Sequence, residues 1–200
     1  MDAFKSHRKS RGFTLLETLI AIAILTIGLL SIALLVARAT ASSNTSRYMS
    51  TQSLLASEKL DDLNRLPASD PAIAIPGGAT AGNLTVDTNQ MVTVGAVTQN
   101  VDYFDQIQIA GSNGSIAETL TSTDAAGVTT YVTTTHTPNG TVTQSASAAA
   151  PATPPGTITF GRRWIIEKDT PIPGTRRITV VVRVINQPQS VPFQMGMVRQ

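Results

Sequence analysis

The sequence predicts an α+β fold, in which a long N-terminal helix, transmembrane in its first half, packs by its second half on a C-terminal antiparallel β-sheet. Three observations carry that expectation. Phe13 to Ala37 is an apolar run of 25 residues whose only charge is Glu17. From Arg38 the pattern turns amphipathic, with no proline before Pro67. Beyond Pro67 the helical period gives way to short β-patterned runs separated by turn residues.

As a helix, residues 13–37 would span about 38 Å at ~1.5 Å per residue, enough for a hydrocarbon core of ~30 Å. Buried helices of globular proteins usually run only ~10–14 residues, so the membrane reading is the stronger one. Residues 1–12 hold Lys5, Arg8, Lys9 and Arg11 against Asp2 alone. Only Arg38 stands just after the run, which favours a cytoplasmic N-terminus. The run is too long for an ordinary secretory signal. Gly28 marks a point where such a helix can bend.

Glu17 is the anomaly, because a carboxylate in lipid needs a partner. A cut between Gly12 and Phe13 would create an ammonium to pair with it. Helix geometry makes that pair poor within one chain and easy between chains staggered along a filament.

The helix is expected to continue to residue 66. Tyr48, Met49, Leu55, Ala56, Leu60, Leu63 and Leu66 share one face, and Glu58, Asp61, Asp62 and Arg65 the other. Leu54 falls off the stripe. Pro67 ends the helix, and Pro71, Pro76 and Gly77-Gly78 mark an irregular connection. Strand patterns follow at Leu84–Val86, Met91–Val97, Tyr103–Ile109 and Val128–Val132. Residues 111–156 are rich in Ser, Thr, Ala and Gly and read as flexible, most of all Ser145–Gly156. The last forty residues read as a strand over Thr157–Lys168, a turn over Asp169–Gly174, a strand over Arg176–Asn186 and an edge strand over Val191–Val198.

The chemistry on offer is sparse. With no cysteine there is no disulfide, thiolate nucleophile or zinc ribbon. His7 lies in the leader, and His136 sits in a loop-like Thr-rich run without an evident partner. Asp102 and Asp105 read as solvated acids without the spacing of a calcium loop, and Asp61-Asp62 as a solvated helix face. Gly77–Gly82 lacks a phosphate-loop lysine and reads as a turn. No catalytic residue, cofactor site or metal site is expected, and the chain does not read as an enzyme.

Lys9-Ser10-Arg11-Gly12 followed by Phe13-Thr14-Leu15-Leu16-Glu17-Thr18-Leu19 resembles the class III signal of type IV pilins and type II secretion pseudopilins. The resemblance implies a type IV pilin-like fold and cleavage after Gly12 by a prepilin peptidase. It implies N-methylation of Phe13, and recruitment of the subunit through Glu17 pairing with a neighbour's N-terminus. The order Trp164-Ile165-Ile166, Pro-rich turn, Ile178–Val182 is similar to the ending of type IV pilus modification proteins of the PilV family, an ending shared with type II minor pseudopilins of the I class. Major pilins of this group typically carry a disulfide there, so the cysteine-free chain fits a minor subunit better. The implied partners are other minor pilins, the major pilin, the prepilin peptidase and the inner-membrane assembly platform, with membrane lipid before assembly. The implied location is the bacterial inner membrane, single-pass with the C-terminal domain in the periplasm, and then the pilus at the cell surface. A type II secretion minor pseudopilin is the alternative, followed by a membrane-anchored periplasmic binding module.

The full chain has 15 Lys and Arg against 13 Asp and Glu, a net of +2. Without residues 1–12 the balance becomes 11 against 12, so the basicity belongs to the leader. Nucleic acid is therefore an unlikely partner, although Arg162, Arg163, Arg176 and Arg177 form a small basic group. Residues 67–161 carry six acids and no base, and 162–200 seven bases against two acids. That polarity predicts salt bridges between neighbouring subunits.

Overall fold

The computed structural model describes residues 14–111, 113–124, 126–185, 187 and 190–200. Among the described residues there is one helix, α1, which runs Leu15–Arg65 without interruption at Gly28 and stops just before Pro67, close to the expected 13–66. The residue before a proline is biased away from helical geometry, which fixes the stop within a residue or two. The chain divides into two compact units at Thr45 and Ser46.

In the first unit α1 is exposed along its whole apolar stretch, from Leu15 to Val36. It is long and apolar enough to cross a membrane. Serine and threonine within it return their hydroxyls to carbonyls one turn back, as Thr26 does to Ala23 and Ser31 to Ile27. Such bonds leave no hydroxyl unsatisfied in a surrounding without water.

In the second unit the last turns of α1 lie on an antiparallel sheet. Its strands are β1 (Thr80–Gly82), β4 (Phe104–Ile109), β5 (Ile116–Thr123), β6 (Thr129–His136), β7 (Val142–Ser147), β8 (Ile158–Lys168), β9 (Arg176–Val184) and β10 (Phe193–Arg199). A separate hairpin pairs β2 (Asn89–Val94) with β3 (Val97–Asp102). The main order is β10-β9-β8-β4-β5-β6-β7, with β1 pairing β8. The two strands with the clearest sequence signal are adjacent, Trp164 opposite Val180 and Ile166 opposite Ile178.

The core lies between α1 and the β4-β8-β9 part of the sheet. Leu55, Ala56, Leu60 and Leu63 bury the expected stripe against Ile107, Phe160, Trp164, Ile166, Val180 and Val182. Tyr48 and Leu66 flank it, whereas Met49 is exposed, and Leu54 faces out. Gln52 is a buried residue that the apolar pattern misses. Its Nε2 donates to the carbonyl of Val182 at 3.3 Å. Arg199, on the edge strand, donates to the carbonyls of Leu63, Asn64 and Leu66, the last at 2.9 Å. It thereby satisfies acceptors that a helix end leaves open.

Several strand expectations change. Leu84–Val86 is a bend, and the strand falls instead on Thr80–Gly82, inside what the glycines mark as a turn. Gly82 ends that strand at φ +85, where a Cβ would sit 2.3 Å from the carbonyl oxygen of Trp164. Met91–Val97 contains the turn of the β2-β3 hairpin rather than one strand. Within residues 111–156, which composition reads as flexible, β5, β6 and β7 pair in continuous register with the sheet. His136 is the last residue of β6, opposite Ile116 and Val142, and not a loop residue.

Candidate assembly site

Gly12 and Phe13, the expected cleavage and methylation positions, lie outside the described residues. The described residues begin at Thr14, immediately before the first turn of α1. The Glu17 amide donates to Thr14 Oγ1 at 3.2 Å, and the Thr18 amide to the Thr14 carbonyl at 3.2 Å. Thr14 is thus a helix N-cap, and Thr14-Leu15-Leu16-Glu17 has the Thr-x-x-Glu spacing of a capping box. An acid in the first turn also meets the positive end of the helix dipole. Glu17 stands out in the sequence as a lone acid in an apolar run, whereas Thr14 is marked there only by the Thr-x-x-Glu spacing. The cap sets the start of the helix at Leu15, which places the carboxylate on its first turn. All of this first turn is exposed.

The second unit holds a different cluster of charge. Lys59, on α1, places Nζ 2.9 Å from Asp105 Oδ2 and 4.2 Å from the centre of the Trp164 ring. Arg162 grips the same carboxylate with two bonds, Nε to Oδ1 at 2.6 Å and Nη2 to Oδ2 at 2.8 Å. It also bonds Glu118 and lies 3.7 Å from Glu58. Asp105 and Arg162 are each only 1% exposed. Burial pushes the Asp105 carboxyl upward, but Lys59 and Arg162 outweigh it and hold the group below the ordinary aspartate value. Burial likewise disfavours the Arg162 cation, and Asp105, Glu118 and Glu58 more than offset that, so it is held more firmly protonated than usual. These groups tie α1 to β4, β5 and β8. They supply no free acid or base, and their chemistry is structural.

This cluster corrects two expectations. Asp105 is not a solvated acid. Three of the arginines at 162–177, Arg162, Arg163 and Arg177, are paired with acids of the same chain and so do not form an uncompensated basic patch. Arg163 pairs with Asp87 at 2.6 Å, Arg177 with Glu167 at 2.6 Å, and Arg176 donates to the carbonyl of Ala68 at 3.0 Å. The acidic middle of the chain and its basic end meet inside the fold, because β8 lies directly beside β4. Asp102, in contrast, is pushed up to about 6 by burial, which a hydrogen bond from Asn89 only partly offsets. Burial also pushes the Tyr103 hydroxyl up to about 12. Among the described residues, no group of three or more His, Cys, Asp or Glu side chains is arranged to hold a metal ion.

Residues 7–33 match the family model described as the prokaryotic N-terminal methylation motif. The chain carries a prepilin-type N-terminus. The match spans the leader junction, Glu17 and most of the apolar stretch of α1, and it supports a type IV pilin or pseudopilin. It points to a structural subunit rather than an enzyme, processed by a prepilin peptidase and anchored in a membrane by α1. No curated protein and no solved structure matches the chain significantly. The long helix packed on an antiparallel sheet is the pilin-like α+β architecture that the motif calls for.

Proposed function

We propose that this prepilin-type chain is a minor pilin of the PilV kind. It is inserted in the bacterial inner membrane with residues 38–200 in the periplasm, cut after Gly12 and methylated on Phe13. It then joins other minor pilins and the major pilin in the tip or priming complex, where it supports pilus biogenesis and adhesion. The observation that carries the proposal is the methylation motif running directly into a capped, outward-facing apolar helix with Glu17 on its first turn. In lipid an uncompensated carboxylate costs about 2.5–3.5 kcal/mol at a helix centre and less near the interface. Pairing with the Phe13 ammonium of a neighbouring subunit removes that cost, so the acid favours the filament over the membrane.

Two substitutions test the proposal. Gly12→Val is expected to leave an unshifted precursor band on a denaturing gel. Glu17→Ala is expected to be cleaved normally yet be missing from filaments sheared off the cell. Normal processing of the first, or wild-type incorporation of the second, would overturn the reading. A type II secretion pseudopilin makes the same two predictions. A deletion strain that keeps its pili and loses protein secretion would assign the chain to that machine instead.

A further inference from the structure

We infer that the sheet face turned away from α1 carries a binding groove for a neutral saccharide. Strand alternation puts Phe104, Gln106 and Gln108 of β4 on that face, since Asp105 and Ile107 between them point into the core. Register continues the face across the sheet. Gln106 is opposite Thr119, Thr119 opposite Thr133, and Thr121 opposite Tyr131. Phe104 and Tyr131 therefore stand on either side of Thr121, two strands or roughly 10 Å apart. The segment through Pro151 and Thr153 closes one wall, held by a 3.3 Å bond from Gln108 Nε2 to Thr153 Oγ1. The groove, open to solvent on one side, has a volume of about 390 Å³, within the range of small-ligand sites and roomy enough for a mono- or disaccharide.

The lining selects the ligand class. A pyranose presents an apolar C–H face, which stacks on an aromatic ring, and a rim of hydroxyls that each donate and accept. Phe104 and Tyr131 supply the rings, and the amide of Gln106 with the threonine hydroxyls supplies groups of the same double character. Charge argues against anionic ligands. Among the described residues the acid lining the groove is Asp87, already paired at 2.6 Å with Arg163, whose Nη1 also donates to the Thr85 carbonyl. Neither member is left to recruit a phosphate or a carboxylate. The inference goes beyond the subunit reading, because a chain that never entered a filament would keep the groove.

The test uses the full chain in a zwitterionic detergent, since glycosidic detergents would compete. It is applied to a printed array spanning neutral hexoses, N-acetylhexosamines and deoxyhexoses, with uronic and phosphorylated glycans as charged controls. Binding confined to neutral glycans is expected. Tyr131→Ala and, separately, Gln106→Ala should each weaken it about tenfold or more, while Tyr131→Phe keeps most of it. Gln106 is exposed, so its variant remains informative if removing the Tyr131 ring disturbs the sheet. No signal on any neutral glycan, a signal on charged glycans alone, or binding undiminished in Gln106→Ala would overturn the inference.

Discussion

The two ends of α1 depart from the usual sorting of residues in opposite directions. From Leu15 to Val36 every large apolar side chain is exposed, Leu15 by 83% and Leu35 by 70%. Over the last turns the helix covers a buried amide, Gln52, and its Lys59 completes a pair of fully buried charges, Asp105 and Arg162. One end is apolar on its outside, and the other is charged on its inside. The difference teaches that residue class alone does not set burial; the available partner does. The first end is stable only where lipid or other apolar helices take the place of water. The second keeps its charges because each one meets an opposite charge with defined hydrogen bonds.

The sharpest way to break this comparison is to remove one member of the buried pair. Arg162→Ala leaves Asp105 with Lys59 alone and strips Glu118 and Glu58 of their shared partner. Breaking a buried pair from one side typically costs about 3–5 kcal/mol. Chemical denaturation followed through the single tryptophan, Trp164 in the core beside the cluster, is expected to show a midpoint lowered to match. A loss below ~1 kcal/mol would mean the cluster behaves as a surface pair.

A matched pair of substitutions is next in size. Leu60→Ala deletes a side chain only 5% exposed in the core, at an expected cost of about 2–5 kcal/mol. Leu29→Ala, at a position 58% exposed, makes the same chemical change and is expected to leave the unfolding midpoint of the second unit unchanged. Equal effects at the two positions would show that the helix ends do not differ in kind.

How much of this was legible in the sequence depended on how local each signal was. The apolar run, the stripe through Leu55 and Leu60, and the Pro67 stop are carried by neighbours within a turn or two, and the structure shows the stripe, the stop and the run from Leu15 onward as one helix. The strands around Trp164 and Val180 were equally plain, being β-branched runs flanking a proline-rich turn. Signals failed where the deciding partner was remote. Strands β5 to β7 are built largely of Ser, Thr and Ala, a composition shared with loops. What makes them strands is the ladder each neighbour offers, with cross-strand hydroxyl bonds such as Thr119 to Thr133 at 3.0 Å. Arg162 and Asp105 are 57 residues apart, so local pattern leaves both looking solvated. The site divides the same way. Glu17 stood out because a lone acid in an apolar run is locally odd, whereas the polar groove behind the sheet needed β4, β5 and β6 to be laid side by side.

The smallest predicted effect separates two acids three residues apart, Asp102 and Asp105. Burial raises Asp102 to about 6, from an ordinary 3.8. The folded state then holds that proton more tightly than the unfolded chain does. This one group therefore favours folding fully below its unfolded value, and the stability it contributes falls as pH rises from about 4 through 6. Asp105 has the opposite sign, since its paired carboxylate stabilises above the unfolded value and is lost only on acidification. Asp102 is only half buried, so solvent screening keeps its contribution to about 1 kcal/mol or less. Asp102→Asn is thus expected to flatten the decline between pH 4 and 6 and to raise stability slightly at pH 7. A variant that loses stability at pH 7 would show that the Asp102 charge is paired rather than merely tolerated, which would extend the paired core beyond β4.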